Sequence, residues 1–360
     1  MKLAPLAHAL AAVGVAPSLV LTGQHRGLGA ADHGLAGLPC HDLHCAGLED
    51  PMAHADAVRT ALTAMLRHDP SDMIVVQGDT SSALGGARAA HAVDVPLAHV
   101  EAGLRSHDRA MPWPEEGNRI AIDELANLLF APTSGAADNL IDERVAGEIH
   151  VTGNTGIDAL HATLAALPAA RSRAADPTAP LDVLVTCHRR ENWTGGLTSL
   201  AMALVQLAAE GSATVDVVIH PNPRVAETMH ILFNRQPGIR LSLPRSHSAM
   251  VERMRRADLI LSDSGGVQEE APVLGIPLLI LRDKTERPEA VACGNAWLVG
   301  VDTARVLDAV RILHRDRAAL AAMANPAMPF GDGRSAPRIA TLIRAWLVEH
   351  DRQAALRRRA

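Results

Sequence analysis

Two groups of side chains in this sequence have the types and spacing to do chemistry. The first is acidic: Asp79 in GDTSSA, Glu101 in HVEAG, and Glu115-Glu116 in PWPEEGNR. Asp79 and Glu101 each follow an apolar run, and the Glu pair stands at the entry to a helix, so the carboxylates are expected to converge from neighbouring strand ends. Crowding and burial raise the proton affinity of at least one such group, as proton abstraction from carbon requires. The plain alternatives are a helix N-cap for Asp79 and a favourable place at a helix start for Glu115 or Glu116. Glu101, at the end of an apolar run, has no equally simple structural explanation.

The second group suits an anion. Leu259-Ile260-Leu261 reads as a strand, Ser262-Asp263-Ser264-Gly265-Gly266 as a turn, and Val267 to about Leu274 as a helix. A helix entered through small residues leaves backbone N–H groups unpaired beside the positive end of its dipole, which favours phosphate. An ordinary strand-to-helix turn is the alternative. His188-Arg189-Arg190-Glu191-Asn192 follows another strand and suits a diphosphate, with Arg as permanent charge and His as donor or acid; a surface ion-pair cluster around Glu191 is the alternative. Arg287, in TERPE, follows the strand after the glycine turn and is placed to reach the same ligand. His220-Pro221-Asn222-Pro223, taken alone, is only a turn.

The elements that must position these residues alternate along the chain. After an opening helix, strands are expected at Ser18–Thr22, Met73–Gln77, Pro96–Val100, Phe130–Thr133 and Glu148–Thr152, with an irregular stretch up to Asp50. Helices are expected at Met52–Arg67, after Gly78-Asp79-Thr80 through Ala90, and from about Asn118 to Leu128. A second series of strands follows at Asp182–Thr186, Thr214–Ile219, Ile239–Leu241, Leu259–Leu261, Pro277–Leu281 and Ala296–Val299. Repeated β–α units predict parallel sheets covered on both faces, here twice over: an α/β protein of two Rossmann-like, doubly wound domains facing a cleft. The Ala-, Pro- and Arg-rich segment from Leu164 to Pro180 reads as the connection, giving domains at 1–163 and 164–337, with a C-terminal helix at 338–356 expected to join the first. Ligands of such sheets bind beyond the carboxyl ends of the strands, where the polar clusters fall.

Composition removes several functions. The 360 residues carry a net charge of −6 and no basic run before Arg357-Arg358-Arg359, which argues against nucleic acid as a partner. Four cysteines, Cys40, Cys45, Cys187 and Cys293, lack CxxC spacing and read as reduced thiols of a cytoplasmic protein. The 18 histidines are scattered, so no metal is expected. The first twenty residues weakly resemble a secretory signal, but Pro5 and His8 interrupt the run and Leu3, Leu6, Leu10 and Val13 recur at helical spacing. No apolar run reaches the roughly 20 residues that span a bilayer.

HVEAGLRS (99–106), PWPEEGNR (112–119), FAPT (130–133), VTGNT (151–155), HRREN (188–192), HPNP (220–223), SDSGGVQEEAP (262–272) and TERPE (285–289) occur together in this order. The set resembles the non-hydrolysing UDP-N-acetylglucosamine 2-epimerases from Met1 to about Val301, most weakly between Gly27 and Met73. The resemblance implies a glycosyltransferase-B-like pair of domains, a homodimer, no metal or nicotinamide cofactor, and a place in cell-surface polysaccharide synthesis. It implies interconversion of UDP-GlcNAc and UDP-ManNAc by anti elimination of UDP and re-addition to 2-acetamidoglucal. Asp79, Glu101 and Glu115 are then the acid/base carboxylates, and His188 stabilises the departing diphosphate. Ser264, Gly265, Gly266 and Arg287 bind the phosphates, Lys2 contributes to the substrate site, Glu270 accepts from the ribose hydroxyls, and Gln24 and His220 match a regulatory UDP-GlcNAc site.

Three departures from the family pattern carry expectations of their own. The chain starts inside the helix that follows the family's first strand and its Gly-Thr-Arg-Pro-Glu turn, so the first sheet is expected to lack that strand. The stretch from Gly27 to Asp50 is shorter than usual. Arg245-Ser246-His247-Ser248-Ala249-Met250 replaces an aromatic-rich Tyr-x-x-Phe run on the uracil side, leaving Met250 to pack on the base. A 2-epimerase of another UDP-2-acetamido sugar, such as a diacetamido uronate, and a catalytically weak UDP-sugar-binding remnant are the alternatives.

Overall fold

A computed structural model describes residues 2–24, 29–31, 34–48, 50–168, 178–187, 189, 192–193, 195–220 and 222–357. The chain divides into two compact units, Met1–Ala159 with Phe330–Ala360, and Leu160–Pro329.

The first unit opens with α1 (Ala4–Ala12), whose Pro5 sits in the first turn, where a missing N–H costs nothing. Short strands β1 (Leu19–Leu21) and β2 (Cys40–Asp42) pair with each other in parallel. β2 falls in the stretch expected to be irregular; three residues, all exposed, give no apolar pattern by which to see it. Helix α2 (Pro51–His68) is capped by Asp50, which accepts from the Met52 N–H at 2.9 Å. Then come β3 (Ile74–Gln77), α3 (Ser81–Ala92), β4 (Leu97–Val100), α4 (Glu115–Leu125), β5 (Leu128–Ala131), α5 (Ser134–Asp142), β6 (Glu148–Val151) and α6 (Thr155–Ala166), which runs on into the second unit from Leu160.

Strands β3–β4–β5–β6 form a parallel sheet in that order, and among the described residues nothing pairs with the outer edge of β3. β1 and β2 stand as a separate ribbon, tied to the start of α3 by Thr22 Oγ1 and Ser82 Oγ at 2.9 Å. β4 and β5 are buried along their whole length, as the inner strands of parallel sheets are. One face of the sheet packs Val76, Ala102 and Leu129 against α3 to α5 through Leu84, Ile122 and Leu140. The opposite face packs Ala98, Val100, Leu128 and Phe130 against Leu6 and Leu10 of α1 and Ile339 and Ile343 of the last helix.

Two local expectations are corrected. The helix expected over Asn118–Leu128 runs from Glu115 to Leu125, and the next strand begins at Leu128 rather than Phe130. Thr133, expected as the end of that strand, caps α5 by accepting from the Ala136 N–H at 3.0 Å.

The second unit carries β7 (Leu181–Thr186), α7 (Gly196–Ala209), β8 (Ala213–Val218), α8 (Pro223–Phe233), β9 (Ile239–Ser242), α9 (His247–Met254), β10 (Leu259–Ser262) and α10 (Gly265–Leu274). It continues through β11 (Leu278–Ile280), α11 (Pro288–Ala292), β12 (Ala296–Leu298), α12 (Thr303–Arg315) and α13 (Arg317–Met323). All six strands are parallel, in the order β12–β11–β10–β7–β8–β9. Val183, Val185, Val215 and Val217 face one core with Leu204, Met229 and Val310. Asp182, Asp216 and Arg240 alternate to the other face, where Asp216 accepts from Arg240 at 2.6 Å, from Arg253 Nε at 2.8 Å and from Ser242. Burial alone raises the Asp216 carboxyl, but Arg240, Ser242 and Arg253 outweigh it and hold the group at about 2.

The chain then returns to the first unit as α14 (Ser335–Arg357), whose Ser335 and Ala336 N–H groups donate to Asp158 at 3.1 and 2.8 Å. No helix among the described residues is long and apolar enough to cross a membrane.

Candidate functional site

In the first unit β3 and β4 are neighbours with Gln77 opposite Val100, so Asp79 and Glu101 leave the sheet at the same carboxyl end. Asp79 is not the N-cap of α3. That role belongs to Thr80, whose hydroxyl accepts from the Ala83 N–H at 3.2 Å. The Asp79 carboxylate instead pairs with Arg119, and its carbonyl accepts from Asn118 Nδ2 at 2.8 Å. Both partners lie on α4, so the first turns of that helix, which begins with Glu115, are tied to the end of β3.

Glu101 is 8 % exposed and holds φ at +71°, the left-handed region that a residue with a Cβ rarely enters. The Phe130 carbonyl fixes this kink by accepting from the N–H groups of both Glu101 and Ala102 at 3.1 Å. The side chain accepts from Lys2 Nζ at 2.9 Å and from Gln77 Nε2 at 3.5 Å, and Gln77 also reaches Thr155 Oγ1 at 3.0 Å. Lys2 therefore meets a carboxylate of the acidic group. Of the two glutamates at the start of α4, Glu116 is almost wholly buried and accepts from the Ser106 and His107 N–H groups and from Arg119 at 2.6 Å. It pins the loop after β4, and Glu115 stands half-buried beside it.

Beneath this end of the sheet lies a buried network that reading for chemistry missed. His99 Nδ1 is 2.6 Å from Asp123 Oδ1, and its Nε2 is 3.0 Å from the Gly78 carbonyl. Arg105 donates to Asp123 at 2.7 Å and to Glu143 at 2.6 Å. Burial on its own raises the Asp123 carboxyl; His99 and Arg105 more than offset this and leave it below the ordinary range. The network braces both Gly78, before Asp79, and the segment after Glu101. Its signal in the sequence was a histidine in the middle of an apolar strand.

In the second unit the turn after β10 is built from buried polar groups. Ser262 Oγ lies 2.6 Å from Thr186 Oγ1 and accepts from the Ser264 N–H at 3.0 Å. Asp263, fully buried, accepts from the Arg189 N–H at 2.9 Å and from Asn192 Nδ2 at 3.0 Å, so the segment after β7 is bound to the turn. His188 lies outside the described residues. Ser264 is the N-cap of α10 and its side chain does not cap the helix; Gly265 and Gly266 follow. A Cβ on Gly265 would stand 2.6 Å from Arg287 Nη1, so only glycine lets the guanidinium lie against the turn. Arg287 is held by Glu269 at 2.7 Å and by Glu286, which also takes Arg282 at 2.7 Å. The site thus offers a helix N-terminus with a guanidinium packed against it, suited to phosphate.

Glu270 stands about a turn into α10, with Oε1 2.9 Å from His247 Nε2. Met250 is half-buried on α9. Of the regulatory candidates, Gln24 accepts from Ser82 Oγ at 2.7 Å in the first unit. His220, in the second, accepts from the Asn222 N–H at 2.9 Å and meets Trp193 edge-on at 5.6 Å. Among the described residues no group of three His, Cys, Asp or Glu side chains could hold a metal ion.

The pattern of the family described as UDP-N-acetylglucosamine 2-epimerase matches residues 8–344. The chain is 39 % identical over 353 residues to a UDP-N-acetylglucosamine 2-epimerase of Yersinia pestis, with 94 % of each chain covered. Among solved structures it is similar to UDP-GlcNAc 2-epimerase from Neisseria meningitidis bound to UDP-GlcNAc, at TM-score 0.87 and 32 % identity over 95 % of both chains. The Methanocaldococcus jannaschii UDP-GlcNAc 2-epimerase in complex with UDP-GlcNAc and UDP gives 0.83 and 30 % over 96 % of both.

Proposed function

The chain belongs to the UDP-N-acetylglucosamine 2-epimerase family and is an isomerase, and from that premise we propose which of its residues interconvert UDP-GlcNAc and UDP-ManNAc. The observation that supports the assignment is the shared carboxyl end of β3 and β4, where Asp79 and Glu101 emerge side by side and Arg119 and Asn118 fasten α4, with Glu115, to Asp79. Asp79, Glu101 and Glu115 carry the proton chemistry. One removes the C2 proton while the C1–O bond to UDP breaks, and the β-phosphate oxygen keeps the bonding pair. The product is 2-acetamidoglucal; UDP adds back at C1 as another carboxyl group protonates C2 from the opposite face. A proton on carbon is only weakly acidic, so the step needs a base whose proton affinity is raised by a desolvated position. Glu101 has that position.

Ser264, Gly265, Gly266 and Arg287 hold the diphosphate, and His188 meets its growing charge. A leaving group that must come back has to stay bound while detached, and charge-assisted hydrogen bonds to its oxygens do this. Lys2, beside Glu101, assists the carboxylate site. Glu270 takes the ribose and Met250 the base. Gln24 and His220 serve a regulatory UDP-GlcNAc. Family membership supports the remainder: the enzyme works as a cytoplasmic homodimer supplying cell-surface polysaccharide synthesis.

Incubation with UDP-GlcNAc in D2O tests the assignment. The native chain is expected to place deuterium at C2 and form the manno epimer, and Asp79→Asn, Glu101→Gln and Glu115→Gln each to lose about 100-fold or more in exchange. Full exchange in any of the three removes that residue from the mechanism.

A further inference from the structure

His247 occupies the first position of α9, in the stretch Arg245–Met250. Its ring is held at both nitrogens, with Nε2 2.9 Å from Glu270 Oε1 and Nδ1 3.2 Å from Thr163 Oγ1. A carboxylate oxygen accepts, so Nε2 carries the hydrogen. On a neutral ring Nδ1 then accepts from the Thr163 hydroxyl, and on a charged ring it donates to it. Both arrangements leave the same bond to Glu270. The His247 and Glu270 side chains are 15 % and 14 % exposed, enough to meet a ligand and too little for water to compete freely. All three residues belong to the second unit.

A glutamate side chain has three rotatable bonds, and fixing one carboxylate oxygen fixes the direction of the other. We infer that His247, backed by Thr163, is a positioning residue that holds Glu270 Oε1 so that Oε2 meets the ribose, and that this chain of contacts sets the preference for ribo- over 2′-deoxyribonucleotides. The inference rests on the assignment of Glu270 to the ribose. It gives a role to a histidine that stands where the aromatic-rich run was expected. A bond aimed at a hydroxyl discriminates strongly against the analogue that lacks it, because the polar group is then left unpaired.

Calorimetric titration of the full chain with UDP and with 2′-deoxy-UDP tests this. The native chain is expected to bind UDP at least about tenfold more tightly than 2′-deoxy-UDP. His247→Phe is expected to lose most of that ratio through weaker UDP binding, with 2′-deoxy-UDP little changed. His247→Gln, which keeps a donor for Glu270, retains it. Thr163→Val removes only the outer bond, leaves the ring in place and narrows the ratio partway, so the test survives if His247→Phe does not fold. Glu270→Ala separates the two layers of the argument. If it abolishes the ratio while His247→Phe and Thr163→Val keep it, the positioning role falls and the ribose assignment stands. If Glu270→Ala keeps the ratio, the ribose assignment falls and the positioning role with it.

Discussion

Single residues in this chain are fixed by charge and by close approach. Arg119 divides one buried guanidinium between Asp79 and Glu116, and its loss strands two carboxylates whose countercharge it supplies. Breaking a buried pair on one side costs about 3–5 kcal/mol. Arg119→Met is therefore expected to lower the melting temperature, and, because it misplaces a proposed acid/base group, to cut turnover about 100-fold. Arg119→Lys recovers part of the first effect and little of the second, since a point charge cannot serve two carboxylates as a fork does. Gly265 is fixed by space. Gly265→Ala must move Arg287 away from the turn, an overpacking cost of about 1–3 kcal/mol. UDP binding, followed by calorimetry, is expected to weaken about tenfold at unchanged secondary structure; unchanged affinity removes Arg287 from the diphosphate site.

At the scale of elements, chemistry was easier to read than boundaries. Strands β3, β4 and β7 to β12 were legible because apolar runs of that length have few other uses, and the polar residues closing them were legible for the same reason. The start of α4 was misread because Glu115 and Glu116 looked like loop, while hydrogen bonding to the Pro112 and Pro114 carbonyls begins the helix there. The N-cap role that stands as the plain alternative for Asp79 falls to Thr80, since either side chain of Asp79-Thr80 is a good cap and only geometry chooses. β2 left no trace, because a strand of three exposed residues has no pattern. The charged face of β8 and β9 was also unseen, its partners lying on different elements. It carries its own pH dependence. The Asp216 carboxyl is depressed from its ordinary 3.8 to about 2, so the stability it lends is complete above pH 4 and is lost as the pH falls through about 2. Asp216→Asn is expected to destabilise the protein by about 3 kcal/mol at neutral pH and to flatten the acid limb of its stability curve in denaturant titrations between pH 4 and pH 2.

At the scale of the molecule, the first unit is made from two distant stretches of sequence, and α14 closes the face where Leu6, Leu10 and Phe130 lie. A chain cut after Pro329 loses Ile339, Ala340 and Ile343 from that core. It is expected to lose cooperative melting of the first unit while the second still unfolds cooperatively and binds UDP, measured by calorimetric scanning with and without the nucleotide. Retention of both transitions shows instead that α14 is dispensable. The doubly wound pattern was legible from alternation alone. The separation of β1 and β2 from the four-stranded sheet became visible only in the pairing.

The discontinuity also orders events during synthesis. As the chain leaves the ribosome, Leu160–Pro329 has every strand of its sheet in hand before Ser335–Arg357 has cleared the exit tunnel. The first unit, translated earlier, must wait with one face of its sheet covered only in part, by α1, until the last helix arrives and Asp158 takes the N–H groups of Ser335 and Ala336. The half translated first is thus the half completed last, once Ser335–Arg357 has joined it.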